Sequence, residues 1–357
     1  MGTETNRRED FDFIKGCLIL FVIWGHFCMY LSGDGYEKNL LTTYVRLFQM
    51  PLFIFISGYF QKPVNSLSLA SKKLQKSVKH IGIPMLSWIA LVYCAKLVIN
   101  GGQYNGLTFF IEQAKGIVSL FWYLGCLLMC LFLFTIISCC YHKNRHFGSI
   151  LFILSLFISL MFKGLSIFHF SFLWLFFCLG IVYKKYEDVI RHSILFNHST
   201  KIVILIALIS SVLVLGGGYD TSWTFYNTDN CVFTHDSPWK SEAAFILYRY
   251  FVYIISTITA FILIRMFYYK VGLSKFIIAI GRETLFLYVA HVVILAMFAR
   301  PILELLINQE CLLPNYPIVR YYIICPICTI IIAASLYHLA LFTKKHLPQL
   351  GKLFIGS

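Results

Sequence analysis

Residues 8–26 read Arg-Glu-Asp-Phe-Asp-Phe-Ile-Lys-Gly-Cys-Leu-Ile-Leu-Phe-Val-Ile-Trp-Gly-His. Five of the first eight residues are charged, and an apolar run then leads to His26. This pattern predicts a helix that enters a hydrocarbon layer from a charged interface. An ionisable residue far inside such a helix is costly, so it marks a functional site by default.

The composition predicts an all-α, polytopic membrane protein. Of the 357 residues 59% are hydrophobic and 13% are charged, and the mean hydropathy is +0.76. Soluble domains carry about 25% charged residues. We predict one domain over residues 1–357, a bundle of ten helices long enough to cross a membrane. The ten predicted spans are 13–32, 41–60, 79–99, 121–141, 147–162, 166–183, 201–217, 244–268, 276–299 and 319–343.

Basic residues are concentrated in alternate connections between the predicted spans. This distribution predicts the orientation of the chain in the membrane. One set of connections carries Lys62, Lys72, Lys73, Lys76, Lys79, Lys143, Arg145, Lys184, Lys185, Arg191, Lys270, Lys275, Lys344, Lys345 and Lys352. The opposite set carries Lys38, Lys115, Lys163, Lys240 and Arg300. Because lysine-rich and arginine-rich loops stay inside, both termini are predicted to be cytoplasmic. The same sorting accounts for the net charge of +14 without a nucleic-acid partner.

The connections opposite the basic ones hold two further features. Residues 218–243 combine acidic and aromatic side chains, which suits either sugar binding or an ordinary interfacial loop. Cys231 and Cys311 are candidate disulfide partners on that outer side. The first apolar run is too long for the hydrophobic region of a signal peptide, so it is predicted to be a retained helix.

The polar residues of the first span form one stripe. Arg8, Asp12, Lys15, Ile19, Val22 and His26 follow one another at intervals of three or four residues. This spacing puts them on one face of a helix. If Asp12 marks the interface, His26 lies roughly 21 Å deeper, beyond the midplane. The stripe is therefore predicted to face the bundle.

A second histidine is expected at similar depth. His291 lies 15 residues into the ninth span, roughly 22 Å from its start, and shares a face with Thr284 and Tyr288. Each histidine is a candidate catalytic residue, although a hydrogen bond between helices would also explain it. No metal is expected, because ligands at the spacing of a metal site do not accompany either histidine.

Other intramembrane polar residues are candidate substrate ligands. Arg46 and Gln49 fall in the outer half of the second span, where they suit hydrogen bonding to a hydroxyl or an acyl oxygen. Arg249 is another outer cation, which snorkelling to the interface would explain equally well. Trp122 begins the fourth span, where an aromatic belt is the ordinary explanation and sugar stacking the functional one.

Four segments resemble the acyltransferase-3 family of integral membrane acyltransferases, especially its sugar O-acetylase branch related to fucose 4-O-acetylase. They are Arg8-x-x-x-Asp12-x-x-Lys15-Gly16 with Gly25-His26, Phe48-Gln-Met-Pro-Leu-Phe-Ile-Phe-Ile-Ser-Gly-Tyr59, Trp122-Tyr-Leu, and Gly281-x-x-Thr-Leu-Phe-Leu-Tyr288-x-x-His291. The resemblance spans nearly the whole chain. It departs from the family in Lys72, Lys73, Lys76 and Lys79, which stand where many relatives have arginines.

The resemblance implies an enzyme of the bacterial inner membrane, an O-acetyltransferase. It implies transfer from cytoplasmic acyl-CoA, usually acetyl-CoA, to a hydroxyl of a cell-surface polysaccharide or its lipid-linked precursor. On this basis Arg8, Lys15 and the four lysines are predicted to bind the phosphates of CoA. Asp12 is predicted to belong to the catalytic site by pairing with Lys15 and fixing its direction, although an ordinary interfacial ion pair would also explain these two residues. Arg46, Gln49 or His291 is predicted to stabilise the oxyanion, and Tyr288, Trp122 and Arg249 are predicted substrate ligands.

His26 is predicted to act as a general base, with an acyl-histidine intermediate as the alternative. A transporter or flippase for a lipid-linked sugar is the competing class of protein, since buried histidines and arginines also suit proton-coupled carriers. Inverted repeats and matching broken helices, which favour a transporter, are not seen in the sequence. The acceptor sugar, the acyl group and the oligomeric state are not predicted.

Overall fold

A computed structural model describes residues 8–32, 39–99, 119–161, 168–192, 239–271, 275–295 and 319–356, with residues 205, 209 and 224. These residues form helices and short connections, with no β-strand among them. The all-helical prediction is thereby confirmed for the described part of the chain.

The described helices follow the predicted spans closely. They are α1 (Glu9–Ser32), α2 (Leu40–Tyr59), α3 (Leu67–Ser77), α4 (Ile83–Ile99), α5 (Trp122–Lys143), α6 (Arg145–Met161), α7 (Phe170–His192), α8 (Trp239–Val271), α9 (Lys275–Arg282), α10 (Thr284–Ile294), α11 (Cys325–His346) and α12 (Pro348–Phe354). Two π-helical segments, Val78–Gly82 and Arg320–Ile324, precede α4 and α11. The seventh predicted span, 201–217, lies outside the described residues, apart from two isolated positions.

Several helices are long and apolar enough to cross a membrane. Among the described residues there are five such segments, or six if one bent pair counts as a span. The five are Glu9–Tyr30, Leu67–Lys96, Trp122–Lys143, Ala243–Tyr269 and Tyr321–His346. The chain is therefore a helical membrane protein. The count of ten spans and the cytoplasmic termini stay predictions.

The ninth predicted span is not one straight helix. It consists of α9 and α10, which meet at Glu283 with a bend of 80°. The prediction of a continuous helix over 276–299 was wrong, because the chain bends within Gly281-Arg-Glu-Thr284, a short stretch that interrupts the apolar run. The predicted outer loop, 218–243, lies largely outside the described residues, as do Cys231 and Cys311.

Contacts divide the chain into two compact units. The first contains residues 1–56, 185–224 and 247–340. The second contains residues 57–184, 225–246 and 341–357.

In the first unit, α1 packs against α9 through close backbone contacts. Its first turn carries Glu9, Asp10 and Asp12, and these acidic residues favour a helix N-terminus because they complement its dipole. At Gly16, a Cβ atom would overlap the Ile277 carbonyl oxygen of α9. At Gly281 of α9, a Cβ atom would overlap the Asp12 carbonyl oxygen. These contacts leave no room for a side chain.

We expect Gly281→Ala to destabilise the protein by about 1–3 kcal/mol, the usual cost of overpacking. The added methyl group meets the α1 backbone, which cannot turn aside as a flexible side chain can. Thermal unfolding in one detergent measures the effect. Gly82→Ala is the control, because its Cβ would lie 3.6 Å from the nearest atom, Val78 Cγ1. Equal unfolding temperatures for the two variants would refute the close approach.

In the second unit, side chains fasten the connection between α2 and α3. The Ser138 hydroxyl of α5 accepts a hydrogen bond from Val64 N at 2.8 Å. Ser66 caps α3 by accepting a hydrogen bond from Leu69 N at 3.3 Å. The α3 helix therefore starts at a fixed position beside α5.

Candidate active site

The histidines of α1 and α10 lie side by side. The ring centroids of His26 and His291 are 5.2 Å apart, with 58° between the ring planes. His291 is completely buried, whereas His26 is partly accessible. The structure thus brings together two residues that lie 265 positions apart in the sequence.

The hydrogen bonding of His291 fixes the role of each ring nitrogen. Its Nδ1 lies 2.8 Å from the carbonyl oxygen of Leu287, one turn earlier in α10. A carbonyl oxygen accepts hydrogen bonds, so Nδ1 carries the proton and the neutral ring keeps a lone pair on Nε2. That Nε2 atom is buried and has no hydrogen-bond partner among the described residues. In the neutral ring, Nε2 is therefore a hydrogen-bond acceptor inside the bundle.

The two histidines meet for a reason other than the predicted one. The estimate of 22 Å for His291 assumed a straight helix from residue 276, and the bend at Glu283 invalidates that estimate. His291 instead lies seven residues beyond Thr284, the first residue of α10, a rise of roughly 10 Å. The contact of Gly281 with the Asp12 carbonyl shows that α9 ends against the first turns of α1, and α10 starts from there.

Three further side chains surround the pair. The Tyr288 ring centroid lies 6.0 Å from that of His291, and the Tyr30 centroid lies 6.4 Å from that of His26. Arg46 of α2 is close enough for its charge to act on His26. Of the residues predicted from sequence, His26, His291, Tyr288 and Arg46 therefore belong to one cluster, which we call the histidine cluster.

Asp12 and Lys15 lie at the other end of α1. Lys15 Nζ is 2.8 Å from Asp12 Oδ1, and Arg282 Nε is 3.5 Å from Asp12 Oδ2. Asp12 is 14 residues before His26 in one continuous helix, a separation of roughly 21 Å. Asp12 therefore pairs with Lys15 and does not contact the histidine cluster.

Arg8 belongs to a network of charges that the sequence analysis did not identify. Its guanidinium binds Asp10 through two contacts of 2.8 and 2.9 Å and reaches Glu187 Oε1 at 3.1 Å. Arg265 of α8 lies 3.1 Å from Asp10 and 3.7 Å from Glu187. The hydrogen bond to Asp10 raises the pKa of Arg8 above its usual range, so this side chain stays charged. We call these four residues the ion network.

The two remaining candidates of the first unit are deeply buried. Gln49 is 8% exposed and lies one turn after Arg46 in α2. Arg249 of α8 is 0% exposed. Snorkelling to the interface therefore does not explain Arg249, because a snorkelling side chain keeps its charged end in water.

The predicted ligands of the second unit occupy two places. Lys73 donates a hydrogen bond to the Lys62 carbonyl at 2.8 Å and lies over the Phe134 ring at 4.7 Å. Its neighbours Lys72, Lys76 and Lys79 are exposed. Trp122 packs edge to face against His169, with centroids 4.9 Å apart.

Sequence reasoning missed Asp10, Glu187, Arg265 and Arg282. Arg265 carried a usable signal, since it lies inside the predicted eighth span, where a cation is costly. Arg282 carried the same signal, because it lies inside the predicted ninth span. Glu187 carried none, because it sits in an ordinary charged connection and its partners are distant in sequence. Tertiary structure alone pairs Arg8 with Glu187.

The histidine cluster has the groups that acyl transfer needs. A neutral, partly accessible imidazole can remove a proton from a hydroxyl group. A nearby arginine can stabilise the negative oxygen that forms when that hydroxyl attacks a carbonyl. The ion network and the Asp12–Lys15 pair lie outside this cluster along α1.

Comparison with known proteins points to the same chemistry. Residues 8–338 match an acyltransferase domain family, acyltransferase 3. The nodulation protein NolL of Sinorhizobium fredii (strain NBRC 101917 / NGR234) is 28% identical over 237 residues, covering 65% of this chain and 62% of that protein. NolL of Mesorhizobium japonicum (strain LMG 29417 / CECT 9101 / MAFF 303099) is 23% identical over 302 residues, covering 81% and 77%.

The chain thus spans less than two thirds of the length of the Sinorhizobium relative. No solved structure matches the chain. The family match begins at Arg8 and extends past α10, so it includes both histidines and the whole of the histidine cluster. This match confirms the resemblance noted in the sequence: the chain belongs to the acyltransferase-3 family.

Proposed function

We propose that the protein is a membrane O-acyltransferase that moves an acetyl or similar short acyl group from acyl-CoA to a sugar hydroxyl. The acceptor is a cell-surface polysaccharide or its lipid-linked precursor, and the enzyme lies in a bacterial inner membrane. The observation that carries this proposal is the pair of histidines within the membrane-spanning part of an acyltransferase-family chain.

His26 is the proposed general base. It takes the proton from the acceptor hydroxyl while the hydroxyl oxygen attacks the thioester carbonyl, which forms a tetrahedral intermediate. The carbon–sulfur bond then breaks, and the leaving CoA sulfur receives the proton that His26 holds. The products are an O-acyl sugar and free CoA, so the base returns to its neutral state after each turnover.

Arg46 is the proposed partner of the oxyanion. Sequence alone left Arg46, Gln49 and His291 as candidates for this role. The Nδ1 proton of His291 is already donated to the Leu287 carbonyl, and its Nε2 offers a lone pair rather than a proton. An oxyanion needs a donor, and the permanently charged guanidinium of Arg46 supplies one beside His26.

His291 is proposed to position the acceptor. A buried nitrogen with a free lone pair can accept a hydrogen bond from a second hydroxyl of the sugar, which leaves the proton of the attacking hydroxyl to His26. The nearby Tyr288 fits as a wall of the same site, since its ring packs edge to face against His291. Gln49 and Arg249 are proposed to bind the acyl donor or the sugar elsewhere in this unit.

Donor binding is proposed at the basic side of the chain, which the sequence predicts to be cytoplasmic. The phosphates of CoA need positive partners. In the first unit, Lys15, which Asp12 holds in place, and the part-exposed Arg8 provide them near the start of α1. The role of the exposed Lys72 and Lys76 of the second unit in binding CoA stays a prediction. From Lys15 to His26 the rise along α1 is roughly 16 Å, which the extended pantetheine arm is proposed to cover.

Transfer by the purified protein tests this proposal. Protein in lipid vesicles is supplied with acetyl-CoA and a lipid-linked sugar or surface polysaccharide, and both free thiol and base-labile acetyl ester are measured. We expect thiol release to require the acceptor and to match ester formation one to one. A folded protein that releases no thiol with any surface glycan, yet moves a lipid-linked sugar across the bilayer, would be a transporter and would refute the proposal.

A further inference from the structure

A groove opens in the second unit, and none of the residues that line it belongs to the histidine cluster. It lies between α3, the π-helical segment Val78–Gly82 and α5, and has a volume of about 760 Å³. Such a volume is within the range of roughly 300–1,000 Å³ that is usual for ligand sites. Its walls are largely apolar, with Leu74, Val78, Ile83 and Ile136 among the residues that line it.

The apolar side chains of this groove are open to the surroundings. Val78 is 43% exposed, Ile83 37% and Ile136 54%. In a membrane protein, such a surface meets hydrocarbon chains. The α3 wall begins just after Ser66, which caps the N-terminus of the helix. Ser138 fixes the preceding connection to α5. The walls are therefore held in place before any ligand arrives.

Two lysines accompany the apolar walls. Lys79 comes from the π-helical segment and Lys143 from the last turn of α5, so each wall contributes one. Both are exposed, and no carboxylate is among the described residues that line the groove. Lys79 and Lys143 belong to the connections that the positive-inside pattern predicts to be cytoplasmic. Positive charge beside an apolar groove on the cytoplasmic side is complementary to an anionic lipid.

We propose that this groove binds an anionic glycerophospholipid of the cytoplasmic leaflet. An acyl chain lies along the apolar walls, and the headgroup phosphate is bound by Lys79 and Lys143. This reassigns Lys79, which the sequence analysis had placed among the CoA ligands. The inference rests on the groove and its two lysines, and it is independent of the proposed acyl transfer.

Acyl-CoA is the less suitable occupant. Its adenine and pantetheine groups carry many hydrogen-bonding atoms, and burying those against leucine, valine and isoleucine side chains is costly. A lipid instead presents a continuous apolar chain and one phosphate, which matches the distribution of apolar and charged groups in the groove.

Lipid retention tests the proposal. Protein is purified from micelles that contain equal amounts of phosphatidylglycerol and phosphatidylcholine, and the lipid that remains bound is quantified by mass spectrometry. We expect the wild type to retain phosphatidylglycerol preferentially. The variant Lys79→Gln with Lys143→Gln should lose about fivefold of that preference for each lysine, roughly 30-fold in all. The control, Lys345→Gln with Lys352→Gln, removes two exposed lysines outside the groove and should behave like the wild type.

A second variant keeps the test decisive. Ile136→Trp fills the groove without changing the charge, and it should lower retention of both lipids alike. Equal retention of the two lipids by the wild type would mean that lipid merely surrounds the protein, which overturns the proposal. Displacement of bound phosphatidylglycerol by acetyl-CoA, with the loss abolished in the lysine variant, would overturn it by assigning the groove to the donor.

Discussion

Asp10→Ala is expected to lower the free energy of unfolding by about 3–5 kcal/mol, the usual cost of breaking a buried ion pair. Asp10 is 4% exposed and Arg265 is 6% exposed, and their charged atoms lie 3.1 Å apart. Without Asp10, the Arg265 guanidinium keeps Glu187 at 3.7 Å as its carboxylate partner in the ion network. A buried, poorly compensated cation is the reason for the large effect.

The same turn of α1 supplies the control. Glu9 pairs with Arg282 at 3.0 Å, but the two side chains are 53% and 41% exposed. An exposed pair contributes about 0–1 kcal/mol, so Glu9→Ala should change stability little. Thermal unfolding of both variants in one detergent measures the difference. Equal unfolding temperatures would show that the ion network does not hold α1 against α7 and α8.

The sequence predicts the helices well because hydrophobic runs determine them. The first, second, fourth and eighth predicted spans agree with α1, α2, α5 and α8 to within a few residues at most ends. The polar stripe on α1 also singles out His26, which the structure places beside His291. These predictions depend on local periodicity, which a single sequence contains.

The bend at Glu283 could not be predicted in the same way. Gly281-Arg-Glu-Thr284 interrupts the apolar run, but so short a stretch also fits a charged turn within one continuous helix. Tertiary packing decides between the two, and Gly281 lies against the α1 backbone at this point. The similar depth expected for the two histidines rested on a straight ninth helix, and the bend removes that basis.

The ion network shows a second limit of sequence reasoning. Arg8 and Glu187 are separated by 179 positions, and each is an unremarkable charged residue near a predicted membrane surface. The local sequence marks Arg8 as a candidate ligand of the CoA phosphates, but it does not show that Asp10 and Glu187 also bind it. Long-range charge pairing depends on how helices pack, and the hydrophobic pattern does not specify that packing.

His26→Ala is expected to reduce acyl transfer by about 10²–10⁴-fold, the range that general-base catalysis contributes. Alanine removes the partly accessible imidazole next to His291 while leaving α1 intact, because α1 is held by Gly16, Gly281 and the ion network. The variant should therefore fold and still bind the donor. His146→Ala is the matched control, since His146 is exposed at the start of α6 and lies outside the histidine cluster.

The decisive measurement is transfer of labelled acetyl groups from acetyl-CoA to a glycan acceptor by wild type, His26→Ala and His146→Ala, in vesicles with equal amounts of folded protein. The proposed mechanism predicts that the wild type and His146→Ala label the acceptor at similar rates, whereas His26→Ala is slower by at least 10²-fold. Equal labelling by wild type and His26→Ala would contradict the central claim, because it would remove His26 from the chemistry.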